Sequence, residues 1–328
     1  MVFIVDYEFT SVGEVLIDFT PAGKSESGAA LFQRNLGGAP GNVACAISKL
    51  GRRSAFIGMA GNDEFGKFCK NTMSEQNVDV KGLRLSVTKN TTLAFVHLSD
   101  KGDRSFSFYR KNAADVSLDK ADLDMDIIRN TRILHFGGVS LSDEPSRSAT
   151  ICAVQEAQRN GSLITYDPNL RMNLWESAAE MKTVTLSVFP YADIIKLSEE
   201  EVSFIFDTND CAAAIDHIQK RFGAKLVIVT RGPRGALTVA GGILYEHPAY
   251  DVNTIDTTGA GDCFFAGALH CLLTYQKPAD SLTPGEIEYL LSFANASGSL
   301  ASTKMGAVSA LPSVDEIESC MKTVKLLR

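Results

Sequence analysis

An α/β fold is predicted, with a doubly wound, mainly parallel sheet, helices on both faces and a small separate β-sheet. Three observations carry this. Between residues 131 and 230 four short apolar runs (133–136, 163–166, 194–197 and 226–229) alternate with segments of helical length. Apolar strands separated by helices imply a parallel sheet covered on both sides. Each run ends in a polar or Gly-rich tip: Gly137-Gly138, Asp167-Pro168-Asn169-Leu170-Arg171, Ser198-Glu199-Glu200-Glu201 and Thr230-Arg231-Gly232-Pro233-Arg234-Gly235. Right-handed crossovers set such tips along one edge of the sheet, where open α/β sheets bind ligands. From 83 to 109, by contrast, the apolar period changes to two with no helix between the runs, the pattern of a β-hairpin.

Residues 9–13 read as a short strand, followed by Glu14 and the apolar stretch 16–19. Asp18 lies just past a strand end, where it serves either a ligand or a turn. The run Gly37-Gly38-Ala39-Pro40-Gly41-Asn42 opens a helix over 43–50, which Gly51 stops. The paired glycines expose backbone N–H groups suited to hydroxyls or oxyanions, and Asn42 offers a donor and an acceptor. Helix capping explains the Pro and one Gly, but not the whole run. A buried strand over 54–59 and a helix over 64–76 come next. The hairpin pairs 92–98 with 104–110 across a turn at Asp100-Lys101-Gly102-Asp103. Residues 14–36 are expected to add strands to it. The core then comprises 1–13, 37–82 and 113–328, and a lid comprises 14–36 and 83–112. Arg110 follows the hairpin and either reaches over a ligand or faces solvent. Helices are expected at 146–160, 175–189, 199–206 and 211–222, with two or three more over 280–328.

The stretch Asp256-Thr257-Thr258-Gly259-Ala260-Gly261-Asp262-Cys263-Phe264 organises the rest. Small and polar residues give way abruptly to the apolar run 263–273, a loop feeding a buried helix. Unpaired N–H groups and the positive end of the helix dipole make an anion site there. Asp262 falls in the first turn. Beside a bound phosphate it serves as a general base for an attacking hydroxyl; as an isolated acid it merely suits the dipole. The segment alone leaves both open.

Composition narrows the function. The chain has 328 residues, 45% hydrophobic and 22% charged, with a formal net charge of −7. An acidic balance disfavours a nucleic-acid surface, but a helix N-terminus and Mg²⁺ supply local positive potential for a nucleotide. The seven scattered cysteines contain no C-x-x-C pair, which reads as reduced thiols in a cytoplasmic protein without structural zinc. No signal peptide is expected, and the 263–273 run is too short to span a bilayer. There is no G-x-x-x-x-G-K-[ST], and no G-x-G-x-x-G follows the first strand, which removes a Walker loop and weakens a dehydrogenase. An anion site with an Asp at the edge of a lidded parallel sheet suits phosphoryl transfer to a small acceptor.

Residues 37–51 and 256–264 resemble the two signature motifs of the ribokinase-like (PfkB) carbohydrate kinases, and within that family the chain is most similar to the fructokinases. Gly13-Glu14-Val15-Leu16-Ile17-Asp18-Phe19, Phe106-Ser107-Phe108-Tyr109-Arg110, Tyr166-Asp167-Pro168-Asn169-Leu170-Arg171 and Ile195-Lys196-Leu197-Ser198-Glu199-Glu200-Glu201 carry the likeness further. The resemblance implies Asp262 as base and the N–H groups of Gly259, Ala260 and Gly261 as anion hole. It implies Asp18, Gly38, Asn42, Arg110 and Arg171 around the sugar. Lys196, Ser198, Thr230, Gly232 and Gly235 would line the triphosphate and ribose of ATP, with Asn295 near the adenine. Glu201 would organise Mg²⁺ through water. Asp256, Thr258, Ala301 and Gly306 would ligate a monovalent cation, K⁺. Gly41 and Cys263 stand where the family usually has Ala, and Ser198 where ribokinases tend to carry Asn.

The expected activity is transfer from ATP to D-fructose, giving fructose 6-phosphate and ADP. The same chemistry on 2-keto-3-deoxygluconate, ribose or a nucleoside is the alternative, since Arg110 and Arg171 suit an acidic sugar. A non-catalytic sugar or nucleotide sensor is the alternative of another class. An uncovered face on the small sheet also suggests a homodimer formed through the lids.

Overall fold

The computed structural model describes residues 6–98 and 104–328; the expected turn at Asp100 to Asp103 lies outside them. The strands are β1 (Tyr7–Val12), β2 (Leu16–Lys24), β3 (Ala30–Gly37), β4 (Ser54–Gly61), β5 (Val78–Asp79), β6 (Leu83–Ser86), β7 (Leu93–Leu98), β8 (Arg104–Tyr109), β9 (Thr131–Gly137), β10 (Leu163–Asp167), β11 (Ile194–Ser198), β12 (Leu226–Thr230), β13 (Ala236–Ala240) and β14 (Ile243–His247). The α-helices are α1 (Ala39–Lys49), α2 (Glu64–Glu75), α3 (Met125–Arg129), α4 (Ser146–Arg159), α5 (Ala178–Val188), α6 (Glu199–Phe206), α7 (Cys211–Phe222), α8 (Ala260–Tyr275), α9 (Pro284–Ala301) and α10 (Val314–Thr323).

The main sheet runs β14-β13-β12-β11-β10-β9-β1-β4-β5, with β6 also on β4. From β12 through β5 the pairing is parallel: Phe9 lies opposite Ile133, Ile133 opposite Leu163, and Ile194 opposite Leu226. Successive strand residues face opposite sides. Phe9, Ile133, Ile194 and Leu226 therefore pack with α1, α2, α8, α9 and α10 on one face. Val12, Leu134, Ile195 and Val227 pack with α3 to α7 on the other. The chain leaves β1 in one direction along the sheet and returns at β9 on its other side, so the ends of β1 and β9 flank the switch point where a crevice opens.

A second sheet, β3-β2-β7-β8, stands apart from the first. It holds the expected hairpin, as β7 and β8, and the strands added by residues 16–37, which form a second hairpin, β2–β3; the first part of the 83–112 segment lies elsewhere. Residues 83–86 form β6, parallel to β4 in register Gly58 to Leu83, because Leu83 is a core side chain only 1% exposed. The small sheet resumes at Leu93.

Three other expectations shift. Helix α1 begins at Ala39 rather than 43, so Pro40, Gly41 and Asn42 sit in its first turn, the one place a helix accepts proline without losing a bond. Helix α5 begins at Ala178, not 175, because the Ser177 side chain accepts the Glu180 N–H and caps it there. The antiparallel pair β13–β14, turned by Gly241 and Gly242, extends the sheet edge beyond the four runs read as strands.

Candidate active site

Helix α8 is apolar almost all round and is buried along its length; Phe265 and Leu269 have no exposed surface. Each such side chain contributes about 1.5–3 kcal/mol, which fixes the helix and its N-terminus. Gly259 precedes it with φ 76°, and a Cβ there would meet Ala307 Cβ at 2.5 Å, so backbone conformation and space both require glycine. The Ala260 N–H closes the turn on Thr257 O at 3.2 Å, and Cys263 N–H donates to Gly259 O at 2.8 Å.

Two cavities meet at this turn. One, of ≈ 470 Å³, is bounded by Asp262, Asp18, Gly38, Asn42, Arg171 and Lys196, with Glu14 and Phe108 also in its wall. The other, of ≈ 280 Å³, is bounded by Thr230, Gly232, Gly235, Asn295, Ala260 and Gly298. Thr257 and Gly261 belong to both walls. Since β2 contributes Asp18 and β8 contributes Phe108, the small sheet closes one side of the larger cavity.

The larger cavity is rich in carboxyl groups. Asp262 is buried, and Asn42 Nδ2 donates to its Oδ2 at 2.8 Å. Burial raises its carboxyl to about 6; the Asn42 bond opposes the rise, Asp167 adds to it, and Lys196 and Arg171 oppose it. Burial likewise lifts Asp18 to about 7 against the pull of Arg171, with Asp262 adding to the rise. Glu14 is lifted to about 7, again chiefly by burial, although its own backbone N–H, Ser140 and Arg110 work the other way. Gly38, at φ 99°, lies so close to the chain that a Cβ would meet Glu14 O at 2.5 Å.

Lys196 reaches the same turn from β11. Its ammonium pairs with Asp167 Oδ2 at 2.9 Å, and a Cβ on Gly261 would stand 3.2 Å from Lys196 Nζ. Burial pulls the Lys196 pKa down, but Asp167 and Glu201 outweigh it and the net shift is upward. A fixed cation thus sits beside the helix N-terminus, where both would favour an anion.

Several expected residues have other engagements. Arg110 is buried and does not bound either cavity. Its guanidinium donates to Asp115 at 2.7 Å, Ser142 Oγ at 2.6 Å, Asp143 at 3.2 Å and Val139 O at 3.1 Å. It therefore stands behind the wall rather than facing an acceptor. Ser198 caps α6, accepting the Glu201 N–H, while Glu201 accepts Ser198 N–H at 2.8 Å and Leu170 N–H at 2.8 Å. Burial, then the charge of Asp167, pushes the Glu201 carboxyl upward. Thr230 Oγ1 donates to Leu197 O, and Asn295 Nδ2 to His247 O and Leu291 O. Asp256 gathers the proposed cation loop: its Oδ1 accepts Thr258 N–H and its Oδ2 accepts Gly306 N–H, both at 2.9 Å. Asp256 N–H donates to Ser302 O, beside Ala301 at the end of α9.

Glu14 and Asp167 were not assigned roles from sequence. Each had a signal: Glu14 interrupts an apolar run, and Asp167 ends a strand at the ligand-binding edge.

The sequence and the fold are both similar to known proteins. The chain is 42% identical over 310 residues to fructokinase-2 of Oryza sativa subsp. japonica, covering 93% of this chain and 90% of that protein. A fructokinase double mutant from Vibrio cholerae O395, solved with fructose, ADP and potassium ion, superposes with a TM-score of 0.86 at 31% identity, over 97% of this chain and 99% of that one. A putative ribokinase II from E. coli, in complex with ATP and Mg²⁺, gives 0.85 at 29% identity over 96% and 99%. Residues 8–314 match the pfkB family carbohydrate kinase model, and the chain belongs to that family.

Proposed function

We propose that the protein is an ATP-dependent fructokinase, converting D-fructose and ATP to fructose 6-phosphate and ADP. The observation that carries this is the position of Asp262, at the start of α8 on the acceptor side of a wall shared by two cavities. Asp18, Gly38, Asn42 and Arg171 hold the sugar. Asp262 takes the proton of the primary hydroxyl, and a carboxyl near 6 is largely ionised at neutral pH while still basic enough to do so. The N–H groups of Gly259 and Gly261, with Lys196, stabilise charge on the transferring phosphoryl, while the expected third donor, the Ala260 N–H, is held by Thr257 O and shapes the turn. ATP lies along Thr230, Gly232 and Gly235 with Asn295 toward the adenine. Arg110 supports the acceptor site from behind.

The donor sets suit two cations. Each Glu201 oxygen accepts one N–H and keeps a lone pair for a water on Mg²⁺. Asp256, with Thr258, Ala301 and Gly306, supplies a carboxylate and backbone carbonyls suited to K⁺. Mg²⁺ held there with the nucleotide would supply positive charge beside its phosphates.

The small sheet acts as a lid over the sugar. Its outer face carries Phe95 between Phe32 and Tyr109, with ring centroids 5.6 and 5.7 Å apart, and Phe32 and Tyr109 are 41% and 67% exposed. A second lid would cover that face in a homodimer. No helix among the described residues is long and apolar enough to cross a membrane, and the free thiols suit the cytoplasm.

The test is ADP release from Mg·ATP against fructose, 2-keto-3-deoxygluconate, ribose, glucose and adenosine, with and without K⁺. Preference for fructose is expected. Turnover on another acceptor alone would replace the sugar assignment. Silence on all five, with sugar or ATP still bound, would point to a sensor.

A further inference from the structure

The chain crosses between the main and small sheets four times: after β1, before α1, before β7 and after β8. Two buried carboxyl groups fasten these crossings in pairs. Glu14, at the first, accepts the Ala39 N–H of the second on Oε1 at 3.2 Å. Asp115 accepts Thr92 Oγ1–H of the third on Oδ1 at 2.5 Å and Arg110 Nε–H of the fourth on Oδ2 at 2.7 Å. The Asp115 side chain has no exposed surface and Arg110 only 5%.

Both pairs then converge on one turn, residues 139–143 after β9. Ser140 Oγ donates to Glu14 Oε2 at 2.8 Å and accepts the Glu14 N–H at 3.0 Å. Arg110 grips Val139 O, Ser142 and Asp143 of the same turn. Val139 and Glu14 also bound the larger cavity. A ligand there touches the plate to which both hairpins are bolted.

We propose that the 139–143 turn is the common anchor of the two hairpins, and that Glu14 and Asp115 are positioning residues coupling sugar binding to movement of the whole small sheet. This rests on the reading of the larger cavity as a sugar site. The two hairpins close as one body because β2 pairs with β7 and both hairpins rest on a single plate; Asp115 reaches the β2–β3 hairpin through Thr92, whose carbonyl accepts the Ile17 N–H at 3.0 Å. Hinge residues that act this way alter substrate binding from outside the site.

The test uses the full chain with Asp115→Asn, which keeps the shape and an acceptor for Thr92 but removes the charge facing Arg110. Four quantities are read: KM for fructose, KM for Mg·ATP, the thermal midpoint without sugar, and hydrogen exchange with and without fructose. Fructose KM should rise about tenfold while KM for Mg·ATP holds. Fructose-dependent protection should shrink in both hairpins, residues 16–37 as well as 93–98. A loss confined to the β7–β8 hairpin, or equal rises in both KM values, would reduce Asp115 to a local structural role and overturn the proposal. Ser142→Ala, which removes one Arg110 partner from the plate, serves if Asp115→Asn does not fold; the same pattern is expected and the same outcomes count against it. Unprotected wild-type hairpins in fructose, with no fructose turnover, would defeat the sugar-site reading itself. Wild-type protection that both variants retain in full would defeat the coupling alone.

Discussion

Asn42 Nδ2 donates to Asp262 Oδ2 at 2.8 Å, tying the first turn of α1 to the first turn of α8 across 220 residues of chain. The bond orients the carboxylate and stabilises its charged form. Asp262→Asn should lower kcat by roughly 10²–10⁴-fold, the contribution of a general base, with fructose affinity by calorimetry nearly unchanged. A variant that keeps near-native turnover would remove Asp262 from the chemistry.

The same bond sets a pH dependence. A base that must be ionised is lost as pH falls through its pKa, here about 6. The kcat profile should show an acid limb near that value. Asn42→Ala removes an interaction that favours the carboxylate, so the limb should move to higher pH. An unmoved limb would show that another group controls it.

Lys196 and Asp167 form a buried ion pair beside the anion site. Lys196→Met strands a carboxylate in the interior, which costs about 3–5 kcal/mol, and removes a fixed charge from the transferring phosphoryl. Denaturant unfolding should register the first effect. Single-turnover phosphoryl transfer should register the second, a fall of about 10²–10³-fold.

Stability should depend on pH through the acceptor cavity. Glu14 and Asp18 rise from 4.5 and 3.8 to about 7 on folding. The folded chain therefore binds more protons than the unfolded chain across that interval, and its stability declines as pH rises through it. The thermal midpoint without sugar should drop between about pH 5 and 7.5. Glu14→Gln, which cannot ionise, should flatten the slope; an equally steep variant would assign the effect elsewhere.

Much of the fold was legible because its cues are local. The strands β9 to β12 announce themselves as apolar runs with polar tips, and the 256–264 stretch shows its loop, its helix start and its acid together. What escaped was set by partners far away in sequence. Arg110 reads as free to meet a ligand until Asp115 and the 139–143 turn claim its guanidinium. Leu83 reads as part of a hairpin until β4 takes it into the main sheet. Glu14 follows a strand with no role readable from the sequence, and Ala39 and Ser140, the latter 126 residues away, give it one. The run 37–42 reads as the opening of a helix over 43–50, whereas the helix starts at Ala39 and takes Pro40 and Gly41 into the first turn, which tolerates them.

Thr257 and Gly261 border both cavities. With ATP and sugar placed as proposed, donor and acceptor on opposite sides of so thin a partition would meet face to face, with no side chain needed to carry the group between them. One displacement then moves it, and a single displacement turns the phosphorus centre inside out. A γ-phosphate made chiral with oxygen isotopes would arrive on the sugar with its handedness inverted.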